Sequence, residues 1–221
     1  MTLSRLLVYQ FVAKLLVMKN TEEKSKYHHG DLRETLLLVA TEMLQESGIK
    51  EVSLRKLASR VGVSRTAPYH HFKDKNALLC GIAEKGFEQL HQINKYGSKL
   101  EEISVKERFY RFIHDYIQFA NNNPELYELM FGRTIWKDKS STLELRDSAY
   151  PCFQFQVDMT QEWQKQGLFN VDDNALRVSQ VLWGTVHGIA KLFIDGIYTD
   201  NSKIDDICDY AVRLFLSNST A

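Results

Sequence analysis

The sequence predicts an all-α protein, and three observations carry that prediction. Only 3 Pro and 11 Gly punctuate 221 residues, too few for the turn-dense pattern of an all-β chain. Apolar residues recur at i, i+3, i+4 and i+7 in successive segments. Helix start and stop residues flank those segments. Apolar residues at 44% and charged residues at 25% exclude disorder, collagen and disulfide-scaffold classes. Cys80, Cys152 and Cys208 form neither a CxxC nor an even set, which points to a reducing, cytoplasmic compartment.

The first helix opens with Asp31 and Glu34 at capping-box spacing. Leu36, Val39, Ala40 and Met43 form its apolar stripe, and Gly48 supplies a left-handed stop. Ser53 caps a second helix whose stripe is Leu54, Leu57, Ala58 and Val61 and which ends at Gly62. Gly62-Val63-Ser64 then reads as a tight turn between two steeply crossed helices, with Gly62 at positive φ and Ala58 small enough for a close crossing. A short helix, Arg65 to Phe72, follows with little to bury, so it is held out to touch something else. Leu57, Val61, Val63 and Phe72 read as core. Asp74 caps a long helix through Leu78, Ile82, Ala83, Phe87 and Leu90.

Charge is balanced overall, 28 Lys/Arg against 28 Asp/Glu, but unevenly spread. Residues 1–91 carry 14 basic and 10 acidic side chains; residues 92–221 carry 14 and 18. Between Ser53 and Lys75, Arg55, Lys56, Arg60, Arg65, Lys73 and Lys75 face Asp74 alone. Such a local electropositive face attracts phosphate on a neutral protein.

The run from Leu54 to Leu79, LRKLASRVGVSRTAPYHHFKDKNALL, resembles the DNA-binding signature of TetR-family transcriptional regulators over about residues 31–90. The resemblance implies a three-helix helix-turn-helix domain whose short third helix enters the major groove of a palindromic operator. It implies three divisions: an extension and arm over 1–29, a DNA-binding domain over 30–90, and a helical ligand-binding and dimerisation domain over 91–221. Residues at the start of a recognition helix face base edges. Arg65 suits guanine O6/N7, Thr66 several bases, and the Ala67 methyl a thymine methyl. Tyr69, His70, Lys73, Lys75, Ser53 and Arg55 resemble the family's phosphate contacts. Pro68 leaves the start of this helix open. A Ser64 cap would put its ring against the carbonyl of residue 64, whereas a start at Thr66 tolerates it and ties Thr66 to its own backbone.

Beyond residue 91, helices are expected over about 104–122, 124–136, 142–166, 173–198 and 203–217, with Pro151 kinking or breaking the third. Nineteen of the 25 aromatics lie in this part. Phe112, Tyr116, Phe131, Trp136, Phe155, Trp163, Trp183 and His187 are the candidate effector-contacting residues, read either as pocket or as core. Gly184 and Gly188 make a smooth strip that another helix can approach, beside the i, i+4 pair Trp183 and His187. This resembles the Trp-x-x-x-His-Gly carboxy-terminal class of TetR-like regulators. In that family the last two helices of each subunit form a four-helix dimer interface. Here the stripes Val178, Leu182, Val186, Ile189 and Ile204, Ile207, Ala211, Leu214, Phe215 would supply it. A two-fold dimer places two recognition helices about 34 Å apart on one DNA face.

The expected function is a ligand-responsive regulator, a repressor by family frequency. It binds operator DNA as a homodimer and is released by a small apolar or aromatic effector; an activator on the same fold is the alternative. The chain shows no HExxH, GxSxG, Walker or dinucleotide-binding pattern, so no enzyme and no cofactor are expected. No His or Cys lies four residues from His70 or His71, so no metal is expected either, and His28-His29 is expected in the amino-terminal arm, near DNA phosphate. Residues 3–17 would span ~22 Å as a helix, short of the ~30 Å of a bilayer core. For that segment a misassigned start, a membrane anchor (hence a membrane-associated adaptor) and a packed helix stay open, and no membrane partner is expected.

Overall fold

The structure is a computed structural model that describes residues 32–98, 103–137, 140–200 and 203–217. Asp31, His28, His29 and the segment 1–17 lie outside the described residues. By contacts the chain divides into residues 1–35 and residues 36–221. The described part of the first is the opening turn of α1, where Arg33 lies 3.7 Å from Glu34.

Among the described residues every element is helical. α1 (Leu32–Ser47) buries Leu36, Leu37, Ala40, Met43 and Leu44 and stops at Gly48, φ 74°. α2 (Leu54–Val61) starts where the Ser53 hydroxyl accepts from the Lys56 N–H and ends at Gly62, φ 78°, whose N–H returns to the Ala58 carbonyl. These caps are local in sequence, which is why the pattern predicts them. Leu57 and Phe72 are core; Val61 and Val63 are not fully buried.

The third helix differs from expectation. It is a single 3-10 turn, Ala67–His70, rather than an α-helix over 65–72. Pro68 sits in its first turn and is its buried residue. Thr66 takes the cap position without a side-chain cap bond; its hydroxyl lies 3.2 Å from that of Ser64 instead. The open choice at Pro68 therefore resolves to a start at Thr66, with the Thr66 side chain not tied to the helix backbone.

The Asp74 carboxylate accepts the Ala77 N–H at 2.9 Å and opens α3 (Lys75–Ser98), the longest helix among the described residues. α4 (Val105–Asn122), α5 (Pro124–Phe131), α6 (Arg133–Trp136), α7 (Leu143–Lys165), α8 (Ala175–Ile194) and α9 (Ile204–Ser217) complete the bundle. α3 packs along α7, α4 and α5; α4 packs on α8 and α9. α3 approaches α5 closely at Gly86, where a Cβ would stand 2.5 Å from the Met130 sulfur. The core between α4 and α7 centres on Phe109, edge-on to Trp163 at 5.0 Å and to Phe169 at 5.2 Å.

Further expectations are corrected or narrowed. The helix expected over 124–136 breaks at Gly132, which is extended at ψ 166° and whose Cβ, if present, would collide with the Glu128 carbonyl. α7 is not broken at Pro151 but runs through it. Finally, nothing lies within 4 Å of where a Cβ would stand on Gly184 or Gly188, so no helix of the chain's described residues uses that strip. Leu182, Val186, Ile204 and Ala211, expected at a dimer face, are buried within the chain.

Candidate nucleic-acid interface and effector cleft

On the helix-turn-helix face, Ser64, Arg65, Thr66, Tyr69 and His70 are exposed around the 3-10 turn, which Pro68 and Phe72 anchor from beneath. Ala67 is half-buried, as is the Ser53 cap at the start of α2. The six basic side chains of this face divide into two sets. Arg60 makes a two-pronged pair with Glu46, at 2.5 and 2.7 Å, and lies 3.6 Å from Glu42. Lys56 pairs with Glu51. The hydrogen bonds from Arg60 and Lys56 hold Glu46 and Glu51 below the usual carboxylate range. Lys75 donates to the Ile49 carbonyl at 2.8 Å, bracing the α1–α2 connection. Arg55, Arg65 and Lys73 are exposed and have no ion pair or side-chain hydrogen bond among the described residues. Three charges therefore remain to meet phosphate or base edges without first breaking an internal contact. Counting along the chain misses this, because Glu42, Glu46 and Glu51 lie outside the basic run yet fold against it.

The candidate effector residues fall into three places. Phe112 and Trp163 are buried edge-to-face at 5.3 Å beside an interior space of about 10 Å³, room for a single water. Trp163 Nε1 and Asn94 Oδ1 are buried there without a protein partner among the described residues. Trp136 lies edge-on to Phe87 at 6.3 Å, its indole N–H donating to the Met130 carbonyl at 2.6 Å, and Phe155 lies edge-on to His91 at 5.1 Å.

The remaining four, Tyr116, Phe131, Trp183 and His187, come together. Trp183 Nε1 donates to the Tyr116 hydroxyl at 2.9 Å. The Tyr116 and Tyr127 hydroxyls lie 2.8 Å apart, and Tyr127 lies 2.6 Å from His187 Nδ1. Phe131 packs against His187 and Trp183, with ring centroids at 5.2 and 6.0 Å. Burial holds both tyrosines protonated far above their ordinary range. Burial, and then the nearby Lys191, keep His187 neutral below its ordinary range. In front of this cluster, between α5 and α8, opens a cleft of about 130 Å³ lined by Tyr127, Glu128, Phe131, Gly132, His187 and Lys191. Lys191 on its rim is paired with Glu128 and lies 3.0 Å from Asp195. Sequence reasoning missed Glu128 and Lys191 as parts of a site. The repeat of Trp183, His187 and Lys191 at every fourth position was the available signal, since it puts all three on one side of α8.

Residues 36–80 match the family described as bacterial regulatory proteins, tetR family, and residues 109–215 match the tetracyclin repressor-like carboxy-terminal domain. The chain belongs to the TetR family. It is thus a helix-turn-helix DNA-binding regulator in class. Among relatives, this TetR-family chain is 29% identical to the nucleoid occlusion factor SlmA of Vibrio cholerae, over 79% of this chain and 90% of that one. It is 44% identical to the class C tetracycline repressor of Escherichia coli, over 52 residues that make up 24% of each. A solved protein of unknown function from a Rhodococcus species shares 31% identity over 90% of this chain and all of that chain, with a TM-score of 0.77. The TetR-family regulator PfmR of Thermus thermophilus, 19% identical over 82% of this chain and 97% of its own, shares the fold at a TM-score of 0.61. Among the described residues no helix is long and apolar enough to cross a membrane, and no cluster of metal-ligating side chains occurs.

Proposed function

We propose that this chain is a cytoplasmic, ligand-responsive transcriptional repressor. It binds a palindromic operator as a homodimer through residues 30–90, and a small apolar or aromatic molecule held by residues 91–221 releases it. The observation that carries the reading is the division of charge on the helix-turn-helix face. Arg55, Arg65 and Lys73 have no partner there among the described residues, and Arg65 stands at the start of the 3-10 turn, where base edges are read. Arg65 and Thr66 act as base readers beside the Ala67 methyl. Arg55, Lys73, Tyr69 and His70 take phosphates with the Ser53 end of α2, and Lys75 does so only by leaving Ile49.

Pairing of two chains is supported by the outer surface of α8 and α9. Val181 is exposed on α8, whose glycine strip nothing in the described chain covers, and Tyr210 and Leu214 are exposed on α9. Release follows from linkage: an effector that prefers a conformation with misplaced recognition turns must oppose the operator.

The test is binding of the purified chain to the DNA upstream of its own gene, against scrambled DNA, across a salt titration. The reading expects tight, salt-sensitive binding that prefers the native sequence, by a species with twice the chain's 25.7 kDa. Equal, weak binding to both DNAs by a monomer would overturn it. The similarity to SlmA favours a second reading, a nucleoid occlusion factor.

A further inference from the structure

We infer that the Trp183–Tyr116–Tyr127 chain fixes His187 in the tautomer that carries its proton on Nε2. We infer also that the cleft between α5 and α8 therefore takes an uncharged, single-ring-sized molecule through a carbonyl-type acceptor. The identity of this ligand class rests on the effector-responsive reading above; the tautomer does not.

The indole N–H of Trp183 can only donate, so the Tyr116 oxygen accepts from it at 2.9 Å. Tyr116 is only 3% exposed, and its own proton needs an acceptor, because a buried donor left unsatisfied is costly. The acceptors in reach are the Tyr127 oxygen at 2.8 Å and, at the limit of a hydrogen bond, His187 Nδ1 at 3.5 Å. If Tyr127 accepts, its own hydroxyl points to His187 Nδ1 at 2.6 Å, and Nδ1 is an acceptor. In the opposite direction, His187 Nδ1–H would donate to Tyr127 and Tyr127 to Tyr116. The Tyr116 proton would then have no acceptor at all. Tyr116 could also donate to Nδ1 directly while accepting from Tyr127, and in each arrangement that satisfies all four groups Nδ1 accepts. Neutral imidazole with Nδ1 accepting carries its hydrogen on Nε2.

Nε2 has no protein partner among the described residues and is not among the buried orphan atoms, and the ring forms part of the cleft wall. The wall thus offers a hydrogen-bond donor between the rings of Tyr127 and Phe131, 5.4 and 5.2 Å from His187. Charge decides which acceptor it takes. Lys191 is held by both Glu128 and Asp195, so the rim carries one positive and two negative groups. An anion meets net negative charge, and a cation meets the wrong end of the imidazole N–H. A ketone, aldehyde, ester, lactone or amide suits both. Size follows from the cleft's volume of about 130 Å³, close to the ~150 Å³ that accommodates benzene in a protein interior.

The test uses the full chain and three probes of one ring: acetophenone, ethylbenzene as the acceptor-free analogue, and benzoate. Nitrogen-15 spectra of the free protein should give His187 a pyridine-type Nδ1 and a pyrrole-type Nε2. Tyr127→Phe, which removes the hydroxyl that holds Nδ1 as an acceptor, should mix the two tautomers. Acetophenone should bind about tenfold more tightly than ethylbenzene, the worth of one hydrogen bond, and should move the Nε2 signal. His187→Phe should remove that preference while leaving ethylbenzene binding in place. A protonated Nδ1 in the free protein overturns the tautomer. Equal binding of acetophenone and ethylbenzene, tighter binding of benzoate, or no binding of any probe overturns the ligand class. Acetophenone binding as expected without any change in operator affinity leaves the cleft standing and sinks the effector-responsive reading instead.

Discussion

On the helix-turn-helix face, Arg55, Arg65 and Lys73 stand in solvent without a partner among the described residues. In the Tyr116–Tyr127–Trp183–His187 cluster, by contrast, each hydroxyl and the indole N–H are committed to a neighbour. The difference matches what each region is proposed to meet. A phosphate backbone is a dense array of strong acceptors that finds cationic side chains wherever they protrude, and counterion release drives the encounter. A small molecule gives few contacts, so the groups it meets must already be oriented by the fold. One region keeps its charges free; the other fixes a donor by closing every alternative.

That contrast can be broken in four ways. The largest effect belongs to the packed region. Trp163→Ala removes a ring that is 1% exposed and contacts Phe109, Phe112 and Phe169. A loss of about 3–5 kcal/mol is expected, read as the denaturation midpoint at constant slope. A loss below about 1 kcal/mol would mean that the core is not packed as described. On the exposed face the cost should appear in DNA affinity alone. Arg65→Ala should weaken operator binding by about 1–3 kcal/mol and relax discrimination at one base position. An accompanying fall in stability would contradict the absence of internal partners.

Asp115 offers a test within the packed region. Burial raises its carboxyl from 3.8 to about 7, with His114 Nδ1 3.2 Å away. The folded state therefore holds a proton that the unfolded chain releases near pH 4. The stability this contributes is fully present below about pH 4 and is lost as pH rises through about 7. His114, lowered by burial, runs the opposite way, so the informative quantity is a difference. Asp115→Asn should gain stability over the wild type progressively from about pH 4 to about 7 and level off above. A flat difference would show that the carboxylate is solvated. The smallest effect separates two lysines. Lys73→Ala should reduce the salt slope of DNA binding by about 1. Lys75→Ala should change the slope less and stability more, because Lys75 holds the Ile49 carbonyl. Equal slopes for both variants would place Lys75 on phosphate after all.

Much of the fold was legible because its signals are short-range. Ser53, Gly62, Asp74 and Gly48 each satisfy backbone groups within a few residues, so type and spacing suffice to place α1, α2 and the start of α3. The same locality explains the failures. A 3-10 turn at Pro68, a break at Gly132 and a helix that continues through Pro151 depend on what the surrounding helices allow. At Gly132 the deciding contact is with the Glu128 carbonyl, a matter of backbone path rather than composition.

The sequence by itself determined an all-helical chain, the helix-turn-helix with its caps, and an excess of basic side chains on the helix-turn-helix face. Those properties need only neighbours along the chain. The tertiary structure decided which charges are available, since Glu46 lies 14 positions from Arg60 in sequence yet pairs with it. It also decided that Tyr116, Tyr127 and His187, separated by as many as 71 positions, share one line of hydrogen bonds. Hydrogen bonds and ion pairs act over about 3 Å. Only the packing of distant helices brings such groups within that range, and no pattern along a single chain encodes it.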